Sequence, residues 1–128
     1  MADTKMKILI VEDFATMRQI IKKILRQAGY HDILEADDGT TALPKLKTNK
    51  IDFVIADWNM PNMTGLDLLK AMRSDEALRD IPFLMVTAEA NKDNIIEAVQ
   101  SGVSNYIVKP FTPETLKEKI ERIFSRGT

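Results

Sequence analysis

Three acids and one base stand where apolar runs end. Glu12 and Asp13 follow Met6–Val11, Asp57 follows Phe53-Val54-Ile55-Ala56, and Lys109 follows Tyr106-Ile107-Val108. If those runs are strands of one parallel sheet, their C-terminal ends open on a single crevice, where ligands bind in such sheets. Two carboxylates about 4 Å apart repel by roughly 4 kcal/mol at an effective dielectric near 20. A fold keeps such a cluster only when a proton or a cation relieves it. The economical answer is a divalent metal in an oxygen-lined acidic pocket.

Each residue carries a plainer reading beside the chemical one. Asp57, ionised, is able to attack phosphorus and form an acyl phosphate; alone it would read as an aspartate opening a turn. Glu12 and Asp13 suit Mg²⁺, which is commonly held by one or two carboxylates together with waters and phosphate oxygens. Asp13 also suits the N-cap of a following helix. Lys109 finds its partner in the acidic cluster and, as a point charge, suits a phosphoryl oxygen; otherwise it is a strand-end lysine reaching water. The Lys109-Pro110 pair leaves a cis bond open, at a prior of about 5–6% for any X-Pro bond. Thr87 ends Phe83-Leu84-Met85-Val86 and offers a hydroxyl, though by itself it reads more simply as a β-branched strand residue. Tyr106 combines an apolar body with a polar tip and suits a groove or the core equally. His31 stands without a second ligand and reads as surface, and the methionines read as packing or soft contact surface.

The bulk numbers narrow the class. At 128 residues the chain suits one domain able to bury a full core, and 45% apolar with 29% charged residues is ordinary for a soluble protein. A net charge of −1 offers no basic face for nucleic acid. No apolar run reaches the length of a membrane span, and the N-terminus lacks the apolar region of a signal peptide. The absence of cysteine rules out disulfide and thiol chemistry and fits a reducing compartment. We read a cytoplasmic protein with no membrane insertion.

The elements that must position these residues alternate along the chain. Strand-like runs are Met6–Val11, the short His31–Glu35, Phe53–Ala56, Phe83–Val86 and Tyr106–Val108. Four of them are continuously apolar, as strands covered on both faces are. The first helix is marked by Met17, Ile20, Ile21, Ile24, Leu25 and Ala28, with Gly29 as its C-terminal cap. Leu66, Leu69 and Met72 mark a helix after Gly65, and Ile95, Ile96 and Val99 mark one ending at Gly102. The last opens with Thr112 as N-cap and Pro113 at its first position. The second helix is weak: its stripe is Ala42, Leu43 and Leu46, and Pro44 inside it should bend or shorten it. Five βα units predict an α/β, flavodoxin-like domain. Its five-stranded parallel sheet has order 2-1-3-4-5 with helices on both faces. That order sets strands 1 and 3, which end in Asp13 and Asp57, on either side of the switch point.

Taken together, these residues resemble the receiver domain of two-component response regulators, over the whole chain. The resemblance is carried by Glu12-Asp13, Asp57, Thr87 and Lys109-Pro110 in this order on successive strand ends. The segments Asp57–Met63, Val86–Ala90 and Tyr106–Phe111 resemble the chemotaxis members most closely. The resemblance implies that Asp57 accepts a phosphoryl group from a phosphohistidine on a chemotaxis-type sensor histidine kinase. Mg²⁺ would be held by Asp13, Asp57 and the backbone carbonyl of Asn59, with Glu12 contributing through water or directly. Lys109 and Thr87 would hold the phosphoryl oxygens, and Tyr106 would move inward as Thr87 shifts. The face of helix 4, strand 5 and helix 5 would then bind the flagellar motor switch protein. Asn59 and Glu89 match positions that influence how long the phosphoryl group survives.

Glu12 stands where chemotaxis members most familiarly carry Asp, Thr64 stands where an acid is common, and Pro44 has no functional account. Residues 1–128 are read as a stand-alone, monomeric receiver with no output domain, since only Ser125–Thr128 follow the last helix. It is a switch and not an enzyme beyond its own phosphoryl transfer and slow autodephosphorylation. A phosphatase partner is left open. The alternative within this class is a phosphorelay intermediate that hands the phosphoryl group to another histidine protein. A flavin protein on the same fold would need a hydroxyl- and glycine-rich loop where Glu12-Asp13-Phe14 stands. A true phosphatase would need a further group to activate water, a role left open only for Glu89.

Overall fold

A computed structural model describes residues 3–89 and 91–125. Ala90 and Arg126–Thr128, which enter the sequence reading above, lie outside the described residues. Five strands and five helices alternate: β1 Ile8–Val11, α1 Ala15–Gln27, β2 Ile33–Ala36, α2 Gly39–Thr48, β3 Phe53–Asp57, α3 Gly65–Arg73, β4 Phe83–Thr87, α4 Lys92–Gln100, β5 Asn105–Val108 and α5 Pro113–Ser125. All pairings are parallel and the order is β2-β1-β3-β4-β5, as the alternation predicts.

The continuous apolar runs have a direct cause: β1, β3 and β4 are buried from end to end. Side chains alternate across the sheet. Leu9, Val11, Val54, Ala56, Phe83 and Met85 pack with α2 and α3 on one face. Ile8, Ile10, Phe53, Ile55, Leu84 and Val86 pack with α1 and α5 on the other. Phe124 of α5 meets Phe53 edge to face, with ring centroids 5.1 Å apart.

Register decides what meets at the top of the sheet. Val11 is level with Ala56, Ala56 with Met85, and Asp57 with Val86. Glu12 therefore emerges level with Asp57, while Thr87 lies one residue beyond, level with Val108.

Four expectations change. Pro44 does not shorten α2, which runs for 10 residues around it. A capping box at Asp38 and Thr41 secures the first turn, so the missing proline N–H falls in a helix already nucleated. The stripe of α4 is not a core stripe: Ala98 is buried, but Ile96 and Val99 are 42% and 61% exposed. Periodicity marks an apolar face without saying what covers it. Ile20, at 45% exposure, lies a turn of about 100° from Ile21 and falls at the margin of the α1 stripe. Strand β2 also starts later than expected, at Ile33, and His31 is exposed.

Candidate functional site

Asp57 is the last residue of β3 and only 6% exposed. The chain continues into a loop pinned at its start, where the Trp58 N–H donates to the Val86 carbonyl at 2.8 Å and the Trp58 carbonyl accepts from Gly65 at 2.9 Å. Gly65 is required there, because a Cβ would overlap the Asp57 carbonyl oxygen. Helix α3 thereby starts directly against the end of β3.

Glu12, Asp13 and Asp57 converge as expected: each offers an oxygen within 4.8 Å of the others. Lys109 arrives from the far side of the sheet. Its Nζ lies 3.1 Å from Glu12 Oε1 and 3.3 Å from Asp57 Oδ1. The Lys109–Pro110 peptide is cis. One ammonium faces two buried carboxylates with a third carboxylate beside them. Burial, then the charge of Asp57, pushes the Glu12 carboxyl up to about 7 against the opposing pull of Lys109. Burial also raises the Asp57 carboxyl, again against Lys109. Burial opposes the Lys109 charge, but the hydrogen bond to Glu12 and the carboxylate charges outweigh it and hold that ammonium above its ordinary pKa. A single lysine leaves the cluster under-neutralised.

Asp13 resolves its two readings. The N-cap of α1 is Phe14, whose side chain makes no capping bond, so Asp13 does not cap the helix. Asp13 Oδ1 is instead buried with no partner among the described residues. A carboxylate oxygen in that state is costly unless a donor or cation meets it. The donor set, all oxygen and acidic, fits a hard divalent cation such as Mg²⁺.

The other candidates sit around this core. Thr87 is 6% exposed at the end of β4, with its hydroxyl engaged by Glu89: it accepts from the Glu89 N–H at 3.1 Å and donates to the Glu89 carbonyl at 3.0 Å. The side chains of Asn59 and Glu89 are exposed. Tyr106 is half-buried against the α2/α3 face, with the Lys119 ammonium 5.2 Å from its ring centre. Thr87 and Tyr106 thus belong to two neighbouring strands, β4 and β5.

Sequence reasoning missed Arg18. Its guanidinium donates to the Glu12 carbonyl at 2.7 Å and to Glu35 at 3.1 Å, fixing the backbone of the acidic pair from α1. Glu35 also takes Lys22 at 2.9 Å, and these two cations hold its carboxyl below the usual range. The signal available was an arginine in the first turn of α1 on its polar side, which periodicity alone does not separate from a solvated charge.

Comparison with known proteins agrees with this arrangement. Residues 8–121 match the response regulator receiver domain. The chain is 64% identical over 121 residues to the chemotaxis protein CheY of Pseudomonas aeruginosa, covering 94% of this chain and 98% of that one. It is 61% identical to CheY-3 of Vibrio cholerae, covering 94% and 93%. The structure of Vibrio cholerae CheY4 superposes with a TM-score of 0.87 at 37% identity, over 93% of this chain and 98% of that one. A receiver domain of a Pseudomonas aeruginosa sensor histidine kinase, solved with magnesium coordinated in its active-site cleft, superposes at 0.84 with 26% identity over 94% and 98%. With two buried carboxylates sharing one lysine at the top of a 2-1-3-4-5 sheet, and with these relatives, the chain belongs to the response regulator receiver family as a CheY-like member.

Proposed function

We propose that this protein is a phosphorylation-activated switch of chemotaxis in which Asp57 is the phosphoacceptor. One Asp57 carboxylate oxygen attacks phosphorus, the bond from phosphorus to the donor imidazole breaks, and the sensor kinase's histidine leaves with its electron pair. Phosphoryl transfer asks mainly for positioning and charge neutralisation. The observation that carries the reading is the pairing of Lys109 with both Asp57 and Glu12 beside the Asp13 Oδ1 that has no partner among the described residues.

Asp13, Asp57 and the Asn59 carbonyl would hold Mg²⁺, with Glu12 assisting. When bound, the ion supplies positive charge toward the transferring oxygens. Lys109 holds a phosphoryl oxygen from the β5 side. Thr87 releases its hydroxyl from the Glu89 backbone to bond another. That movement vacates space toward which Tyr106 turns, changing the α4–β5–α5 face. The exposed Ile96, Val99 and Val108 on that face suit an apolar partner segment, for which the flagellar motor switch protein is the candidate.

The deciding experiment measures affinity for an N-terminal peptide of the flagellar motor switch protein, with and without Mg²⁺ and acetyl phosphate, with intact mass recorded on each sample. The expected outcome is one added phosphoryl mass and tighter binding in that sample alone. Phosphorylation without tighter binding would keep the acceptor and point to a relay partner in place of the motor. No added mass would remove Asp57 as acceptor.

A further inference from the structure

The loop from Trp58 to Thr64, which carries Asn59, is tied to the start of α2 by bonds that helix capping does not require. Asp38 is the α2 N-cap and only 5% exposed. Its Oδ1 does the capping, accepting from the Thr40 N–H at 2.7 Å, the Thr40 hydroxyl at 2.5 Å and the Thr41 N–H at 3.3 Å. A serine or threonine would serve that end as well. The second oxygen, Oδ2, accepts from Asn62 Nδ2 at 2.9 Å, 24 residues away in the chain.

Asn62 has φ 65° and sits at the centre of a three-residue turn, with the Met63 N–H 2.6 Å from the Pro61 carbonyl. A γ-turn of this hand is rare and strained. Glycine would relax the backbone more than asparagine does. Asparagine's advantage over glycine is the amide, and the amide is spent on Asp38. Two further contacts tighten the join. The Gly39 N–H donates to the Met63 carbonyl at 3.4 Å, and the Met63 side chain lies over Gly39 so closely that a Cβ there would be 2.5 Å from its Cγ.

We infer that Asp38 and Asn62 are a positioning pair, which holds the strained turn at residues 61–63 and so fixes the Asn59-bearing loop against the Glu12, Asp13, Asp57 pocket. The inference rests on that pocket being the magnesium-assisted phosphoacceptor site. Neither residue touches the reacting atoms. Their effect reaches the pocket through the short stretch of loop between the Trp58 anchor at one end and the Asp38 tie at the other.

The test is a double-mutant cycle on Mg²⁺ affinity, read by titrating the cation against the emission of Trp58, the single tryptophan, which adjoins Asp57. Asn62→Gly keeps the left-handed conformation and removes the amide. Asp38→Ser keeps a cap and removes the reach. Each variant should bind Mg²⁺ about tenfold more weakly, the low end for groups that orient metal ligands. The double variant should be no weaker than the worse single one. Melting temperatures recorded alongside separate this from a stabilising role: a lower Tm with Mg²⁺ affinity within twofold of the parent would overturn the positioning pair. Effects that multiply independently in the double variant would also overturn it. Asp13→Asn serves as the control. If it binds Mg²⁺ as tightly as the parent, the reading of the acidic pocket fails, whatever the Asp38 and Asn62 variants do.

Discussion

Two carboxylates and one ammonium set the chemistry of Asp57, and their balance makes two substitutions informative. Asp57→Asn removes one of the crowded charges while keeping the side chain's shape. Phosphoryl uptake from acetyl phosphate should vanish by intact mass, while stability should hold or rise, since relieving a raised carboxyl favours the folded state. Uptake at the parental level would exclude Asp57. Lys109→Arg keeps the charge but replaces a compact ammonium with a planar fork that cannot face Glu12 Oε1 and Asp57 Oδ1 in the same way. Uptake should persist, while tighter peptide binding after phosphorylation should be largely lost. Binding that still tightens as in the parent would make Lys109 a structural ion-pair partner. Glu12, Asp13, Asp57 and Lys109 were all legible as charges ending apolar runs. Arg18 was not, because its role depends on the Glu12 carbonyl and Glu35 carboxylate that tertiary packing brings to it.

At the scale of elements, caps and loop ends decide where side chains arrive. The α2 cap is the clearest case. Bonds from the Thr40 hydroxyl, then from Asn62, hold the Asp38 carboxyl below its usual range. A depressed folded pKa adds stability that is fully present above the unfolded value, about 3.9 for aspartate. That stability is lost as pH falls through the lower folded value. Asp38→Ala should therefore cost about 1–2 kcal/mol at pH 7. The gap between variant and parent should narrow as thermal melts are repeated from about pH 5 down to pH 3. A gap that stays constant over that range would mean that the carboxylate charge contributes nothing. The same capping box explains why Pro44 is tolerated, which the proline alone argued against. Helix α4 shows the converse limit. Its apolar positions were visible in the sequence, yet Ile96 and Val99 face outward, because periodicity defines a face and only packing decides what lies on it.

For the molecule as a whole, the acidic pocket couples ligand to stability. Among the described residues, no helix is long and apolar enough to cross a membrane. A cation that binds only the folded pocket stabilises by mass action, about 1.4 kcal/mol at ten times its Kd. For a domain of this size that corresponds to a Tm rise of roughly 4–6 °C. Mg²⁺ should produce that rise in the parent and not in Asp13→Asn; an equal rise in both would place the cation elsewhere. Much of this molecule was determined by its sequence alone. Five continuous or short apolar runs between amphipathic stretches dictate a doubly wound sheet, since buried parallel strands tolerate no polar face. The handed crossovers then send the strand ends carrying Glu12, Asp13, Asp57 and Lys109 to one edge. What only the tertiary structure decided is register and partnership. Glu12 meets Asp57 because Val11 pairs with Ala56, Asp13 Oδ1 is left without a partner among the described residues while Phe14 takes the N-cap of α1, and Asp38 reaches Asn62 across 24 residues. Such pairings depend on angstrom-scale offsets between distant segments, and neither residue type nor periodicity encodes those offsets locally.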